Sequence, residues 1–365
     1  MRIRSGPWMV LAVPIAALPS GAAWGQEIRR NQPVLAREIT PQLRLSVERG
    51  LQYLARRQDP RTGSIENGEG YRVAVDSLAG LAFLASGQAG KGGKYSATVR
   101  GLAQSVLSCQ SEIGYFQDRK SRMYGHGFAT LFLAELYGMT EEMDERVRSG
   151  LKRAVRVIEM SQSPQGGWDY LPAPSFLGSF EGGGRSGSDS SITVCQTMAL
   201  RAARGLGIQV DPQVVARARK YIRDAQNEDG GFSYRLDIPF GFGRESKFPR
   251  SAAGVCILIN LATPEEYGSK ELQKGFQYLL RHYRERDQFE FYGAYYCAQA
   301  MFQAGGKYWE EYFAYLKDQL LRNQKEDGSW APRLLIGPPE VPLQTTAMAL
   351  IALQVPMRFL PILER

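Results

Sequence analysis

Four stretches of the chain share one pattern, a Gln, three residues, a Gly, one residue and an aromatic: Gln110 to Phe116, Gln162 to Trp168, Gln226 to Phe232 and Gln324 to Trp330. A repeat of this kind constrains architecture before any single residue is weighed, because each unit must bury its apolar face against the next. Gln58 to Ile65 is a degenerate copy with one extra residue. A further unit is implied at Tyr283 to Phe289, where Arg-Glu-Arg-Asp-Gln stands in the loop and the Gln and Gly are lost.

The flanks are equally regular. Before each loop lies an amphipathic helix with apolar residues at helical spacing, over about 40–57, 95–109, 144–161, 212–225, 270–283 and 307–323. After each lies a helix that is apolar nearly all round, over about 72–86, 124–137, 190–205, 251–262, 290–303 and 343–354. A helix with one wet face belongs on an outside and a helix with none belongs inside. Stacking six such pairs in a line would expose the ends, whereas a ring covers every inner helix. The expected fold is all-α, a six-hairpin (α/α)6 toroid over residues 40–360. Within it the Gly permits a tight approach after a helix end, the aromatic anchors the loop and the Gln amide bonds backbone groups at helix termini.

Residues 1–25 stand apart. Arg2 and Arg4 precede an apolar run over 8–18, and Ala23-Trp24-Gly25 is a small-x-small end before Gln26. This reads as a cleaved secretory signal followed by a linker over 26–39, which predicts a periplasmic or extracellular protein. The run is broken by Pro14 and Pro19 and is shorter than the ~20 apolar residues that span a bilayer. No stable transmembrane helix is expected after cleavage. Cys195, Cys256 and Cys297 sit among apolar residues inside helices and Cys109 near the end of another, so all four are expected as free thiols. Lys plus Arg exceed Asp plus Glu by 45 to 37. That excess suits an anionic ligand but is spread too evenly for a nucleic-acid stripe.

The Gln-x-x-x-Gly-x-Trp/Phe repeat resembles that of squalene and oxidosqualene cyclases and, more loosely, of protein prenyltransferase β subunits, over essentially residues 40 to 355. The resemblance implies a terpenoid-cyclase fold and an isoprenoid ligand. The family's chemistry does not carry over residue by residue. The cyclase Asp-x-Asp-Asp and a magnesium-holding Asp-Asp-x-x-Asp are both absent. The prenyltransferase zinc set fails because Asp189 and Cys195 are six apart where the family has Asp-x-Cys, and His282 falls on an outer helix. Tyr124-Gly-His126-Gly127 is similar to the His-Gly that helps hold a lipid diphosphate in those β subunits. The Gly-Cys-Gly-Glu-Gln of thioester domains, which share the toroid, is also absent. No metal and no cofactor are implied.

Several residues remain as ligand-binding candidates. Asp76 and Asp189 open inner helices, where the plain alternatives are an ion pair with Arg72 and a helix N-cap. For His126 the plain alternative is an exposed or capping residue. Parallel inner helices bring six N-termini and their partial positive charge to one rim. There the loops about 163–189 and 227–250 carry Arg185, Arg244, Lys247 and Arg250 with Phe240, Phe242 and Phe248. Beneath them Phe289, Phe291, Tyr292, Tyr295 and Tyr296 crowd the fifth inner helix. The expected function is binding of an apolar or isoprenoid-like molecule with an anionic head in a central cavity. A non-catalytic scaffold for a protein partner and a carbohydrate-active α/α-barrel enzyme are the alternatives.

Overall fold

Wet-faced and all-apolar helices alternate along the chain, as the periodicity predicts. The computed structural model describes residues 38–66, 68–139, 145–173, 187–237, 243–285, 287–331 and 342–363, all within the compact unit Leu35–Arg365. The signal-like segment, Arg185, Phe240 and Phe242 lie outside the described residues.

The outer helices are α1 (Pro41–Ala55), α3 (Ser96–Ser108), α5 (Glu145–Met160), α7 (Pro212–Asp224), α9 (Lys270–His282) and α11 (Gly306–Asn323). The inner ones are α2 (Arg72–Ala85), α4 (Arg122–Met139), α6 (Ser190–Gly205), α8 (Phe248–Leu261), α10 (Glu290–Ala304) and α12 (Pro342–Gln354). Helix α9 buries a stripe of Leu272, Gly275, Phe276, Tyr278 and Leu279, whereas α2 buries every residue from Val73 to Ala85. Short polar caps set the starts, as where Thr40 and Ser269 accept the Leu43 and Leu272 amides.

Each inner helix packs on the next, α2 on α4, then α6, α8, α10 and α12, and α12 returns to α2. The ring closes. Bonds between inner helices join like ends: Gln196 of α6 donates to the Met123 carbonyl at the start of α4 at 2.8 Å, and Gln354 of α12 donates to Ala82 near the end of α2 at 3.0 Å. The inner helices therefore run parallel. Phe128 of α4 meets Tyr295 of α10 edge-on across the ring, centroids 6.3 Å apart, so side chains occupy its middle. Short turns at Val355–Met357 and Pro361–Leu363 pack on the inner helices. There the Ile362 amide donates to the Glu135 carboxylate, and Val355, Leu360 and Ile362 are buried. The segment 355–363 thus packs against the rim where the inner helices finish. Among the described residues there are isolated bridges but no strand.

The repeat joins each loop to the next outer helix. In all five copies the Gln amide donates to the carbonyl of its own Gly and to a carbonyl within the following outer helix. The second acceptors are Thr98, Gly150, Val214, Glu271 and, closing the circle, Ser46 of α1. Thr98, Val214 and Glu271 lie in the first turn of their helices, at the helix ends expected, and Gly150 and Ser46 lie one turn further in. Gly166 and Gly230 have φ of +99° and +92°, and a Cβ on either would lie 2.3 Å from the Arg217 or Lys274 carbonyl oxygen. Only Gly fits that backbone and that approach. Phe116, Trp168, Phe232 and Trp330 are fully buried, and each indole donates to the outer helix before it, Trp168 to Ile158 and Trp330 to Leu320.

One further position belongs to the repeat. The aromatic's backbone N–H is received by a side chain in the first turns of the following inner helix: Thr193 for Trp168, Ser251 for Phe232, Thr346 for Trp330. In the second repeat the receiver is His126, for Phe116, and in the first it is Asp76, for Ile65.

Candidate ligand site at the rim where the inner helices begin

Where the inner helices begin, Tyr124, Tyr170, Ser191, Tyr234, Phe289 and Tyr292 wall a cavity of about 210 Å³, with Lys247, Arg250 and Asp287 also lining it. Ser191, in the first turn of α6, is its hub. The Ser191 hydroxyl accepts from the Tyr124 hydroxyl and donates to Asp189 Oδ1 at 2.5 Å, and its carbonyl accepts from Tyr292 at 3.4 Å. The Tyr170 and Tyr234 hydroxyls bond each other at 2.9 Å. Behind them Asp189 is fully buried. It caps α6 through the Ser191 amide at 2.7 Å, while its Oδ2 is buried without a hydrogen-bond partner. Burial raises the Asp189 pKa, and the nearby Ser191, Tyr234 and Tyr170 hydroxyls offset part of that rise.

Lys247 and Arg250 share one carboxylate, Glu245, at 3.9 and 3.7 Å, and the Arg250 guanidinium lies 5.1 Å from the Tyr234 ring centre. Arg235, nearly buried, is clamped by Asp169 at 3.2 Å and Asp237 at 2.9 Å, which fixes the loops that carry Tyr170 and Tyr234.

The structure brings four of the sequence candidates together, Asp189, Lys247, Arg250 and Tyr292. Tyr296 lies one turn below, its hydroxyl 3.2 Å from Cys195 Sγ and its ring edge-on to Tyr292, and it does not line the cavity. Arg244 is also off the cavity wall and donates to the Leu236 carbonyl at 2.7 Å. Phe248 faces a separate groove.

Asp76 and His126 are elsewhere. Asp76 is buried and accepts from the Ile65 amide and from the Ser64 and Ser105 hydroxyls, with Arg72 at 3.9 Å. The ion pair expected for it is thus its weakest contact, and burial pushes its carboxyl up to about 6. His126 is neither exposed nor a cap: it is fully buried, with Nδ1 accepting the Phe116 amide and Nε2 facing the Ala154 carbonyl at 3.1 Å. Both ring nitrogens are committed and burial lowers the pKa to about 4, so the ring is neutral and has no valence left for a phosphate.

Reasoning from sequence missed Tyr170, Ser191 and Tyr234. For the two tyrosines the available signal was their place two residues after the motif aromatic, in Trp168-Asp-Tyr170 and Phe232-Ser-Tyr234. No group of three His, Cys, Asp or Glu able to hold a metal occurs among the described residues. His282 pairs with Glu285 at 2.6 Å on an outer helix. The four cysteines are free thiols.

Among the described residues, six parallel inner helices within six outer ones define a terpenoid-cyclase-like α/α toroid. The apo structure of the type II terpene cyclase MstE from Scytonema matches 88% of this chain and 100% of its own at 14% identity, with a TM-score of 0.57. A variant of that enzyme in complex with merosterolic acid A, its product, matches with a TM-score of 0.60 at 14% identity over 88% of this chain and 99% of its own. An inactive variant of an α-1,6-mannanase from Salegentibacter, in complex with α-1,6-mannotriose, matches with a TM-score of 0.59 at 11% identity over 85% of this chain and 97% of its own. At such identities the likeness is one of fold. No family model and no curated protein matches the sequence.

Proposed function

We propose that this is an exported binding protein for an isoprenoid-like amphiphile whose acidic head rests at the rim where the inner helices begin. The observation that carries the reading is the tyrosine-walled cavity of about 210 Å³ with Lys247 and Arg250 on its lining. Ligand sites of this kind combine aromatic walls with a few placed polar groups. The charge count favours a singly charged head. Glu245 answers both cations and Asp287 stands on the same cavity wall, so a carboxylate suits the mouth better than a diphosphate. The N-termini of the inner helices add ~0.3–1 kcal/mol each for an anion close to them.

The test is equilibrium binding of geranylgeranoic acid and of the neutral alcohol geranylgeraniol, followed by intrinsic tyrosine and tryptophan fluorescence. Changing Lys247 and Arg250 together to Ala is expected to weaken the acid about tenfold, or ~1.4 kcal/mol, and to leave the alcohol within twofold. Affinity for the acid should fall as salt rises. Binding of α-1,6-mannotriose in place of either lipid would favour the carbohydrate reading. Failure of all three to bind would favour a protein scaffold. Export has its own test: N-terminal sequencing of the protein from its native host should begin at Gln26, and a chain beginning at Met1 or Arg2 would overturn it.

A further inference from the structure

We infer that the fifth repeat has been converted from a packing loop into the wall of a second compartment, so that the site continues from the rim cavity past Asp287 into a groove on α11 that takes the chain of a long amphiphile. The inference rests on the rim reading above.

Register identifies what changed. The outer-helix carbonyl that receives each Gln lies twelve residues before the Gln of the next loop, as Thr98 does before Gln110, Gly150 before Gln162 and Val214 before Gln226. By that spacing the fifth loop, which follows Glu271, has Tyr283 in place of the Gln, Asp287 in place of the Gly and Phe289 as its aromatic. Its receiving helix is α11, with Tyr312 and Tyr315 at the positions that meet Gln and Gly elsewhere.

Each substitution has a visible consequence. The Tyr283 ring packs edge-on against Tyr312 and Tyr315, at 5.7 and 4.9 Å, where an amide would have bonded the backbone. Asp287 carries the Cβ for which the other loops have no room, since at Gly230 it would lie 2.3 Å from a carbonyl oxygen. The close approach is therefore lost. Phe289 is 39% exposed, whereas Phe232 and Trp330 are at 0%, and its N–H turns to the Asp287 carboxylate at 2.9 Å instead of to the next helix. What remains between loop and helix is a groove of about 480 Å³, walled by Tyr283, Phe291, Tyr312, Tyr315 and Leu316 and flanked by the charged Arg284, Glu285, Glu290 and Lys325.

Two observations join the groove to the rim cavity. Asp287 lines both. At the start of α8, Phe248 lines the groove while its neighbours Lys247 and Pro249 line the cavity. Size supplies the reason for a continuation: a dry cavity of ~150 Å³ accepts a benzene ring, so 210 Å³ is on the scale of a ten-carbon acid. Further isoprene units must leave the cavity, and the groove beside it offers them Tyr315 and the edges of its aromatic wall between charged flanks.

Geranic, farnesoic and geranylgeranoic acids, with ten, fifteen and twenty carbons, form the test series. Affinity is expected to rise at least tenfold from the first to the last, because each added unit buries apolar surface. Tyr315→Ala removes an aromatic wall and Ala331→Trp, at the groove's edge, fills it. Both should weaken geranylgeranoic acid tenfold or more and leave geranic acid within twofold, which also reports that each variant is folded at the rim. Equal affinity for the three acids, or groove variants that weaken all of them alike or none, would overturn the groove while leaving the rim site standing. Absence of binding by every acid would overturn both.

Discussion

Changing Trp330 to Ala is expected to cost about 3–5 kcal/mol of stability, the range for removing a buried aromatic with partial collapse of the site. Trp330 stands at the seam where the last hairpin meets the first. It is fully buried, its indole donates to the Leu320 carbonyl at 2.8 Å and its amide to Thr346 at 3.0 Å. A Cβ on Gly50 of α1 would lie 2.8 Å from its ring. Two costs add in the variant: the cavity, and an outer-helix carbonyl left without its donor. With an unfolding entropy of ~2.1 cal/mol/K per residue, a loss of about 4 kcal/mol lowers the Tm of a ring this size by roughly 6 °C. Trp330→Phe keeps most of the volume and loses the N–H, and should cost ~1–2 kcal/mol. Leu45→Ala, at a side chain on α1 that is 61% exposed, is the control and should move Tm by less than a degree. An unfolding midpoint for Trp330→Ala equal to wild type would show that the seam does not hold the ring.

The fold was legible because its information is repeated. Gln110, Gln162, Gln226 and Gln324 stand at the same place in the loop, and a pattern that recurs at that spacing between wet-faced and all-apolar helices leaves little choice of architecture. The site was only half legible, because it is made where the repeat is broken or decorated. Tyr170 and Tyr234 decorate it, one residue beyond the motif aromatic's neighbour. Asp287 breaks it, and loss of a Gly announces only that a loop has stopped packing, not that space opens behind it. Arg244 and Arg250 look alike in sequence. They part because α8 begins at Phe248, which puts Arg250 in its first turn facing the mouth, while the Arg244 carbonyl is held to Asn227 in the loop.

Asp76 and His126 drew attention as single reactive side chains, and the comparison that explains them is with Thr193, Ser251 and Thr346. All five accept the same backbone N–H, in the first four repeats and the sixth. The position requires an acceptor close to the helix axis, and hydroxyl, imidazole and carboxylate each supply one. Chemical type is free to vary there, which is why an ionisable residue at an inner-helix start is weak evidence for a site in this fold.

Two ionisable occupants of one structural position nonetheless leave a signature in the pH dependence of stability. His126 has its pKa lowered from 6.5 to about 4 by burial. Its contribution is whole above the unfolded value and is lost as pH falls from 6.5 to 4, because the unfolded chain then takes up the proton first. Asp76 has its pKa raised from 3.8 to about 6, also by burial. Its contribution is whole below the unfolded value and is lost as pH rises from 3.8 to 6. At ~1.36 kcal/mol per unit each spans about 3 kcal/mol, and over pH 4 to 6 they run in opposite directions. Wild type should therefore show a shallow dependence there, and single variants should uncover the two slopes. Asp76→Asn keeps an acceptor for Ile65 and a donor for Ser105, so it should equal or exceed wild type above pH 6 and lose about 3 kcal/mol on acidification to pH 4. His126→Gln keeps one acceptor and one donor without titrating, and it should gain stability over the same descent. Urea midpoints at pH 4, 5, 6 and 7 read all three proteins. Parallel pH profiles for wild type and both variants would mean that neither group changes its protonation between the folded and unfolded chain as its burial requires.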